Sequence, residues 1–171
     1  MPTRCPLVAF SFYLSGRNQV LLSIAAEIVE ALDACVSSDE AAPCASRTRA
    51  SDLMWLWTLG AYEVIRTMCQ ARACFSASFH GAASDLKIEL ERVRVPNTKM
   101  ERIKYDRKAR AVPVGSDRAP DVWDKVNKDL RVGDPADAVS ARMLLRNYAR
   151  VMASLTARDV LMSHEDSFAQ G

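Results

Sequence analysis

The stretch LMWLWTLGAYEVIRTMCQARAC, residues 53–74, is the feature that most limits how this chain folds. It is apolar around most of a helical circumference until Glu63 and Arg66 interrupt it, and such a helix has to be covered by other elements. Ser51 and Asp52, just before it, are residue types that cap helices well. The sequence therefore predicts a central, buried helix that begins after Asp52.

Two further segments have the spacing of amphipathic helices. Apolar residues recur every three or four positions over residues 16–35, and the same pattern returns over residues 136–161. We expect a helix in each segment. Glu27, Glu30 and Asp33 recur every three residues on the first of these helices and are predicted to form its solvated flank.

The remaining segments have weaker patterns. Residues 37–50 read as a connection, and residues 7–14, LVAFSFYL, fit either a short strand or an early helical turn. Residues 84–96 likewise fit a helix or a strand, which Pro96 should end. Asn97 is suited to cap a short helix in the residues that follow it.

Together these patterns predict a mainly α fold, a single compact helical domain over residues 1–171. We expect a flexible C-terminal tail at about 163–171. A small β element near residues 88–95 and 110–114 would fit the same fold class.

Composition excludes several classes of protein. With 49% apolar and 26% charged residues, the chain resembles an ordinary globular protein. Its longest strongly apolar run is about half of the roughly 20 residues that a membrane helix needs, and no secretory signal pattern is recognisable. We expect a cytoplasmic protein with reduced thiols, no cofactor and no membrane partner. The cysteines, which show no metal-binding or disulfide pattern, are Cys5, Cys35, Cys44, Cys69 and Cys74.

A basic segment, residues 92–110, is the clearest binding candidate. It contains eight Lys or Arg against two acids, in a chain with a formal net charge of only +2. Closely spaced cations neutralise phosphates whatever the base sequence. Solvated loops carry the same pattern, however, and Tyr105 is the segment's one aromatic platform for a base. The candidate contacts to nucleic acid or another polyanion are Arg92, Arg94, Lys99, Arg102, Lys104, Arg107, Lys108 and Arg110.

A second basic feature lies on the last predicted helix. Arg142, Arg146 and Arg150 recur every four residues, opposite the apolar stripe, and form an arginine ridge. The ridge would extend a polyanion-binding surface if it lay beside residues 92–110. The alternative is that it is simply the outward face of an amphipathic helix.

Three polar residues in the apolar helix suggest either an ion pair or a small pocket. Glu63 and Arg66 are one helical turn apart, and burying either without a partner would be costly, so we expect them to pair. Tyr62 and Arg66 could instead present a phenol and a guanidinium to a small anion in a cleft.

No pattern for catalysis or metal binding is recognisable. The two histidines, His80 and His164, lack the spacing of metal ligands, and the chain has no Gly-rich phosphate loop and no nucleophile turn. We therefore predict no catalytic residue and no metal site. Large apolar residues at helical spacing are predicted to be core, namely Met54, Trp55, Trp57, Met68, Met143 and Met152.

Three functional hypotheses follow. The first is a non-catalytic protein-binding or adaptor protein, whose partner is another protein or a second copy of the chain. The second is sequence-independent binding of nucleic acid or another polyanion through residues 92–110 and the arginine ridge. The third is an enzyme whose site is scattered in sequence near Glu63, Arg66 and Tyr105.

Overall fold

The computed structural model describes residues 5–36, 45–99 and 121–168. That part of the chain contains six α-helices, one 3-10 turn and a three-stranded antiparallel sheet, so the mainly α fold with a small β element is confirmed. In chain order the elements are α1 (Pro6–Phe10), α2 (Phe12–Val36), α3 (Ala45–Gln70), the 3-10 turn (Arg72–Cys74), α4 (Ala77–Lys99), β1 (Asp121–Asp124), β2 (Asp129–Val132), β3 (Val139–Ser140), α5 (Ala141–Ser154) and α6 (His164–Phe168).

The predicted central helix is α3, which packs against α2 on one side and α4 on the other. Trp57 on α3 is fully buried, and its indole Nε1 donates a hydrogen bond to the backbone oxygen of Leu21 at 3.1 Å. Its ring meets the ring of Tyr148 edge-on, with 5.3 Å between centroids. Trp57 therefore joins α2, α3 and α5 at the centre of the core.

Helix α3 begins earlier than predicted. It starts at Ala45, so residues 45–50 are helical, and Ser51 and Asp52 lie inside the helix instead of capping it. Tertiary contacts explain the difference, because Ala50 is fully buried and Arg49 pairs with Glu27 of α2 at 2.8 Å. Such packing supplies most of a helix's stability.

The ambiguous segment 84–96 is helical and lies within α4. Leu86, Leu90 and Val93, at helical spacing, are buried, whereas Ile88 is exposed. The predicted strand near residues 88–95 is therefore wrong, and residues 110–114 lie outside the described residues. Pro96 is buried in the last turn of α4 and does not end the helix, because one lost backbone hydrogen bond leaves the apolar face intact.

The β element is a hairpin followed by a two-residue strand. Strands β1 and β2 pair antiparallel from Asp121–Val132 to Asp124–Asp129, and β2 also pairs with β3. Within the turn between β1 and β2, the Asp124 carboxylate accepts hydrogen bonds from two backbone amides. This sheet supplies the small β element of the fold, at a different place from the residues 88–95 that the sequence predicted.

Helix α5 begins at Ala141, five residues later than predicted. Its cap is Ser140, whose hydroxyl accepts a hydrogen bond from the amide of Met143 at 3.0 Å. Val139 and Ser140 are extended because they pair with β2. The helical spacing upstream of Ser140 is therefore overridden by strand pairing.

The predicted core is mostly confirmed. Met54, Trp57, Met68 and Met152 are buried, but Trp55 and Met143 are each 45% exposed. Neighbouring helices cover one broad side of α3, and Trp55 lies two residues from Trp57, on nearly the opposite face of the helix.

The C-terminal segment folds back onto the turn between α3 and α4. Phe75 and Val160 form an isolated antiparallel bridge, and the amide of Leu161 donates to the oxygen of Cys74 at 2.9 Å. The Asp159 carboxylate accepts the hydroxyl of Ser76 at 2.6 Å, and this bond is the main reason its pKa is lowered. Helix α6 lies within the tail that we predicted to be flexible, and both that flexibility and the limits of a single domain stay predictions.

Candidate protein-binding groove

An open groove of about 730 Å³ lies between α2 and α5 and is called the α2–α5 groove below. Its floor is apolar and partly built from small residues, and charged residues stand at its edges. From α2 it is lined by Leu22, Ala25, Ala26, Val29, Glu30 and Asp33. From α5 it is lined by Arg142, Leu145, Arg146 and Ala149.

A buried hydrogen bond joins α2 and α5 beside the groove. The Tyr148 hydroxyl of α5 donates to Asn18 Oδ1 of α2 at 3.0 Å, and both residues are buried. Burial raises the pKa of Tyr148 far above its ordinary value, so the hydroxyl stays neutral and able to donate. This bond holds the middle of α5 against the start of α2.

An ion pair between two lining residues makes a second connection between α2 and α5. Arg142, at the start of α5, lies 2.7 Å from the Asp33 carboxylate near the end of α2. It also lies 3.9 Å from the buried carboxylate of Asp129, which accepts the Ser140 hydroxyl. Since the end of α2 meets the start of α5, the two helices run in opposite directions.

The two walls of the groove carry opposite charges. The α2 wall presents Glu30 and Asp33, and the α5 wall presents Arg142 and Arg146. Asp33 and Arg142 pair with each other. Glu30 and Arg146 are exposed and take part in none of the ion pairs found among the described residues.

The arginine ridge is divided by these contacts. Arg142 is 24% exposed and holds α5 to α2 and to the β hairpin. Arg146 is exposed and lines the groove. Arg150 is exposed, and its guanidinium lies 3.5 Å from the side-chain oxygen of Asn147. One ridge residue therefore has a structural role, and two keep their charge at the surface.

Two arginines in the described part of the basic segment also contact other side chains. Arg92 pairs with Asp137 at 2.5 Å, and the Arg94 guanidinium lies over the ring of Tyr62 at 4.4 Å from its centroid. Lys99 is the last residue of α4. The other five candidates lie outside the described residues, so adjacency to the ridge stays untested: Arg102, Lys104, Arg107, Lys108 and Arg110.

The three polar residues of α3 contact other side chains, and the small-anion pocket stays a prediction. Glu63 and Arg66 pair at 2.7 Å as expected, with 46% and 41% of their side chains exposed, so this is a surface pair and not a core one. The ring of Tyr62 is buried beneath Arg94. Tyr105, the third member of the enzyme hypothesis, lies outside the described residues.

A second cavity, of about 530 Å³, lies where α6 meets the end of α3 and includes Cys74 and His164 in its lining. The Cys74 thiol is buried and lies 3.7 Å from the backbone oxygen of Ser163. On α3, burial raises the pKa of the Cys69 thiol, which disfavours the nucleophilic thiolate. Residues 5–36, 45–99 and 121–168 contain no group of three or more His, Cys, Asp or Glu arranged to hold a metal ion.

Among the helices that the structure describes, none combines the length and apolar character needed to span a lipid bilayer.

The floor of the α2–α5 groove was not predicted from the sequence. Ala25 and Ala26 read as members or neighbours of a core stripe, and nothing in their spacing shows that α5 leaves them uncovered. Glu30 and Asp33 did stand out as a flank of acids, but their opposition to Arg142 and Arg146 depends on long-range packing.

No family model, curated protein or solved structure matches the chain.

Proposed function

We propose that this protein is a non-catalytic protein-binding or adaptor protein that binds its partner in the α2–α5 groove. The observation that carries the proposal is the groove's composition: an open apolar floor with small residues, bordered by charged walls. Helical segments of partner proteins bind in apolar grooves of this kind, and charges at the rim set their orientation.

The small residues of the floor favour a helix as the bound segment. Ala26 is exposed, and Ala25 and Ala149 are half-buried, so a partner backbone can approach closely. The Asn18 and Asp33 contacts to α5 support the same proposal, because they hold α5 against α2 and the groove is present before a partner binds. A preformed groove loses less entropy on binding than one that must open.

The described contacts give less support to polyanion binding. Arg92 and Arg142 are in ion pairs with acids, and Arg94 covers an aromatic ring. An arginine already paired with a carboxylate gains less from a phosphate, since the first pair must be broken. The remaining cations of the basic segment lie outside the described residues.

Ala26→Glu tests the proposal, because it places a charge on the groove floor at an exposed helical position. The size of the particle that contains the protein is measured by gel filtration of a gentle extract of its native cells. We expect wild-type protein to elute larger than a monomer and Ala26→Glu to elute as a monomer. An unpaired charge on an apolar docking surface costs several-fold or more in affinity.

Ala77→Glu is the matched control, since Ala77 is an exposed alanine at the first position of α4 and is not part of the groove lining. A carboxylate in the first turn of a helix is well tolerated, so this variant should fold and leave the elution of the protein unchanged. Helical circular dichroism of both purified variants checks that each is folded. Equal elution of wild type and Ala26→Glu, both folded, would refute the proposal.

A further inference from the structure

Two charged side chains that line the α2–α5 groove take part in none of the ion pairs found in the described part of the chain. Glu30 lies on the α2 wall and Arg146 on the α5 wall, and both are exposed. Arg146 Nε donates to the backbone oxygen of Arg142 at 3.4 Å, a bond that does not neutralise the guanidinium. Asp33 and Arg142 pair with each other at 2.7 Å. The charge that the groove presents to a partner is therefore negative on the α2 wall and positive on the α5 wall.

These two charges restrict which partners can cover the groove floor. A partner that fills the groove removes water from around Glu30 and Arg146, and an apolar or like-charged neighbour would leave that loss of hydration uncompensated. A basic group beside Glu30 and an acidic group beside Arg146 offset the loss with two charge-assisted contacts. Charge complementarity therefore favours a partner that is apolar where it meets the floor and oppositely charged on its two sides.

The length of the groove fits two or three turns of a helix. The lining residues of α2 extend from Leu22 to Asp33, a rise of about 16 Å, and those of α5 extend from Arg142 to Ala149, a rise of about 10 Å. A partner helix rises about 5.4 Å per turn. Its apolar residues three and four apart form the stripe that meets the floor, and the residues beside this stripe form its two flanks.

The distribution of charge between the two flanks decides how such a helix fits. Turning a helix end for end, with its apolar stripe still on the floor, exchanges the flanks that face α2 and α5. A helix with one basic and one acidic flank is therefore attracted to both walls in one of the two directions. A helix with two flanks of the same sign is attracted to one wall and repelled by the other in either direction.

We infer that the segment bound in the α2–α5 groove is a mixed-charge amphipathic helix, with basic residues on the flank that faces α2 and acidic residues on the flank that faces α5. The inference rests on the proposed function and deepens it by stating the chemistry of the partner segment.

Three designed helical peptides test the inference. They share a leucine stripe and a length of about 18 residues, which allows a helix to form, and they differ only in their flanks. One has a lysine flank and a glutamate flank, the second has two glutamate flanks, and the third has two lysine flanks. Fluorescence anisotropy at low ionic strength, where exposed charges are screened least, measures the affinity of each labelled peptide for the purified protein. We expect the mixed-flank peptide to bind about fivefold more tightly than either of the others, because it replaces a repulsive contact by an attractive one.

Charge reversal on one wall should change the order of the three affinities. Glu30→Arg makes both of these wall charges positive, so the peptide with two glutamate flanks should bind this variant most tightly. Arg146→Glu makes both negative, so the peptide with two lysine flanks should bind most tightly. Differences in helicity among the peptides cannot produce these changes of order, because the peptides are the same for every protein variant.

Glu91→Arg is the matched control for Glu30→Arg. Glu91 is exposed on α4 and is not part of the groove lining, so the same change in net charge there should leave the mixed-flank peptide the tightest. Helical circular dichroism of each variant checks that it is folded.

Three results would overturn the inference: equal affinities of the three peptides for wild type, no binding of any of them, or the same change of order in Glu91→Arg as in Glu30→Arg. The proposed function would survive each of them if Ala26→Glu still reduced the particle size in extracts, because the groove would then bind a partner of different chemistry.

Discussion

The hydrogen bond between Tyr148 and Asn18 offers the sharpest test of how α5 is held. Tyr148→Phe removes the hydroxyl and leaves the ring, so the edge-on contact with Trp57 at 5.3 Å is preserved. Asn18 is 4% exposed, so its side-chain oxygen would lose a partner without gaining water. Leaving a buried acceptor unsatisfied costs about 1–3 kcal/mol, and we expect Tyr148→Phe to destabilise the protein by that amount.

Urea denaturation followed by tryptophan fluorescence measures this loss. In a separate thermal unfolding experiment, the melting temperature should fall by about 2–4 °C for each kcal/mol of lost stability in a chain of this size. Asn18→Ala completes a double-mutant cycle: the double variant should be less destabilised than the sum of the two single variants, because both partners of one bond are then gone. A loss below about 0.3 kcal/mol for Tyr148→Phe, or strictly additive losses, would refute the argument.

Five other substitutions test local features. Gly16→Ala and Gly81→Ala should each stabilise the protein by about 0.5–1 kcal/mol in urea denaturation, because both positions are helical and an added Cβ meets nothing within 4 Å. Gly60→Ala should not stabilise the protein, since its Cβ would lie 2.8 Å from Leu21 Cδ2. Gly133→Ala should cost about 1–3 kcal/mol, because Gly133 has a φ of +104°, and an unchanged stability would contradict that expectation. The hydrogen bonds from Ser76 and Thr156 lower the pKa of Asp159, so their stabilisation is present above the ordinary carboxyl pKa and is lost as the pH falls through the lowered value. The stability difference between wild type and Asp159→Asn should therefore be largest near neutral pH and shrink in acid, and a difference independent of pH would be inconsistent with it.

Helical periodicity predicted the elements that are long and packed on one side. The stripes of α2 and α3 and the pairing of Glu63 with Arg66 follow from spacing alone, and the structure confirms them. Periodicity did not predict the helix starts that long-range contacts determine. Burial of Ala50 favours the extra residues at the start of α3, and pairing of Val139 with β2 delays the start of α5.

The candidate site was harder to predict than the fold. A basic residue has the same appearance in sequence whether it binds a ligand or another side chain, so spacing could not show that Arg142 pairs with Asp33 or that Arg94 covers Tyr62. Ala25 and Ala26 became part of a groove because α5 lies to one side of them, which depends on residues more than a hundred positions later.

Site-specific photo-crosslinking tests the central claim, that the α2–α5 groove binds protein. A photoreactive amino acid replaces Ala26 in one variant and Ala77 in the other, and after irradiation in native cells the joined peptides are identified by mass spectrometry. The account predicts crosslinks from position 26 to a defined helical segment of a partner protein and none from position 77. Equal crosslinking from both positions, or none from position 26, would contradict it.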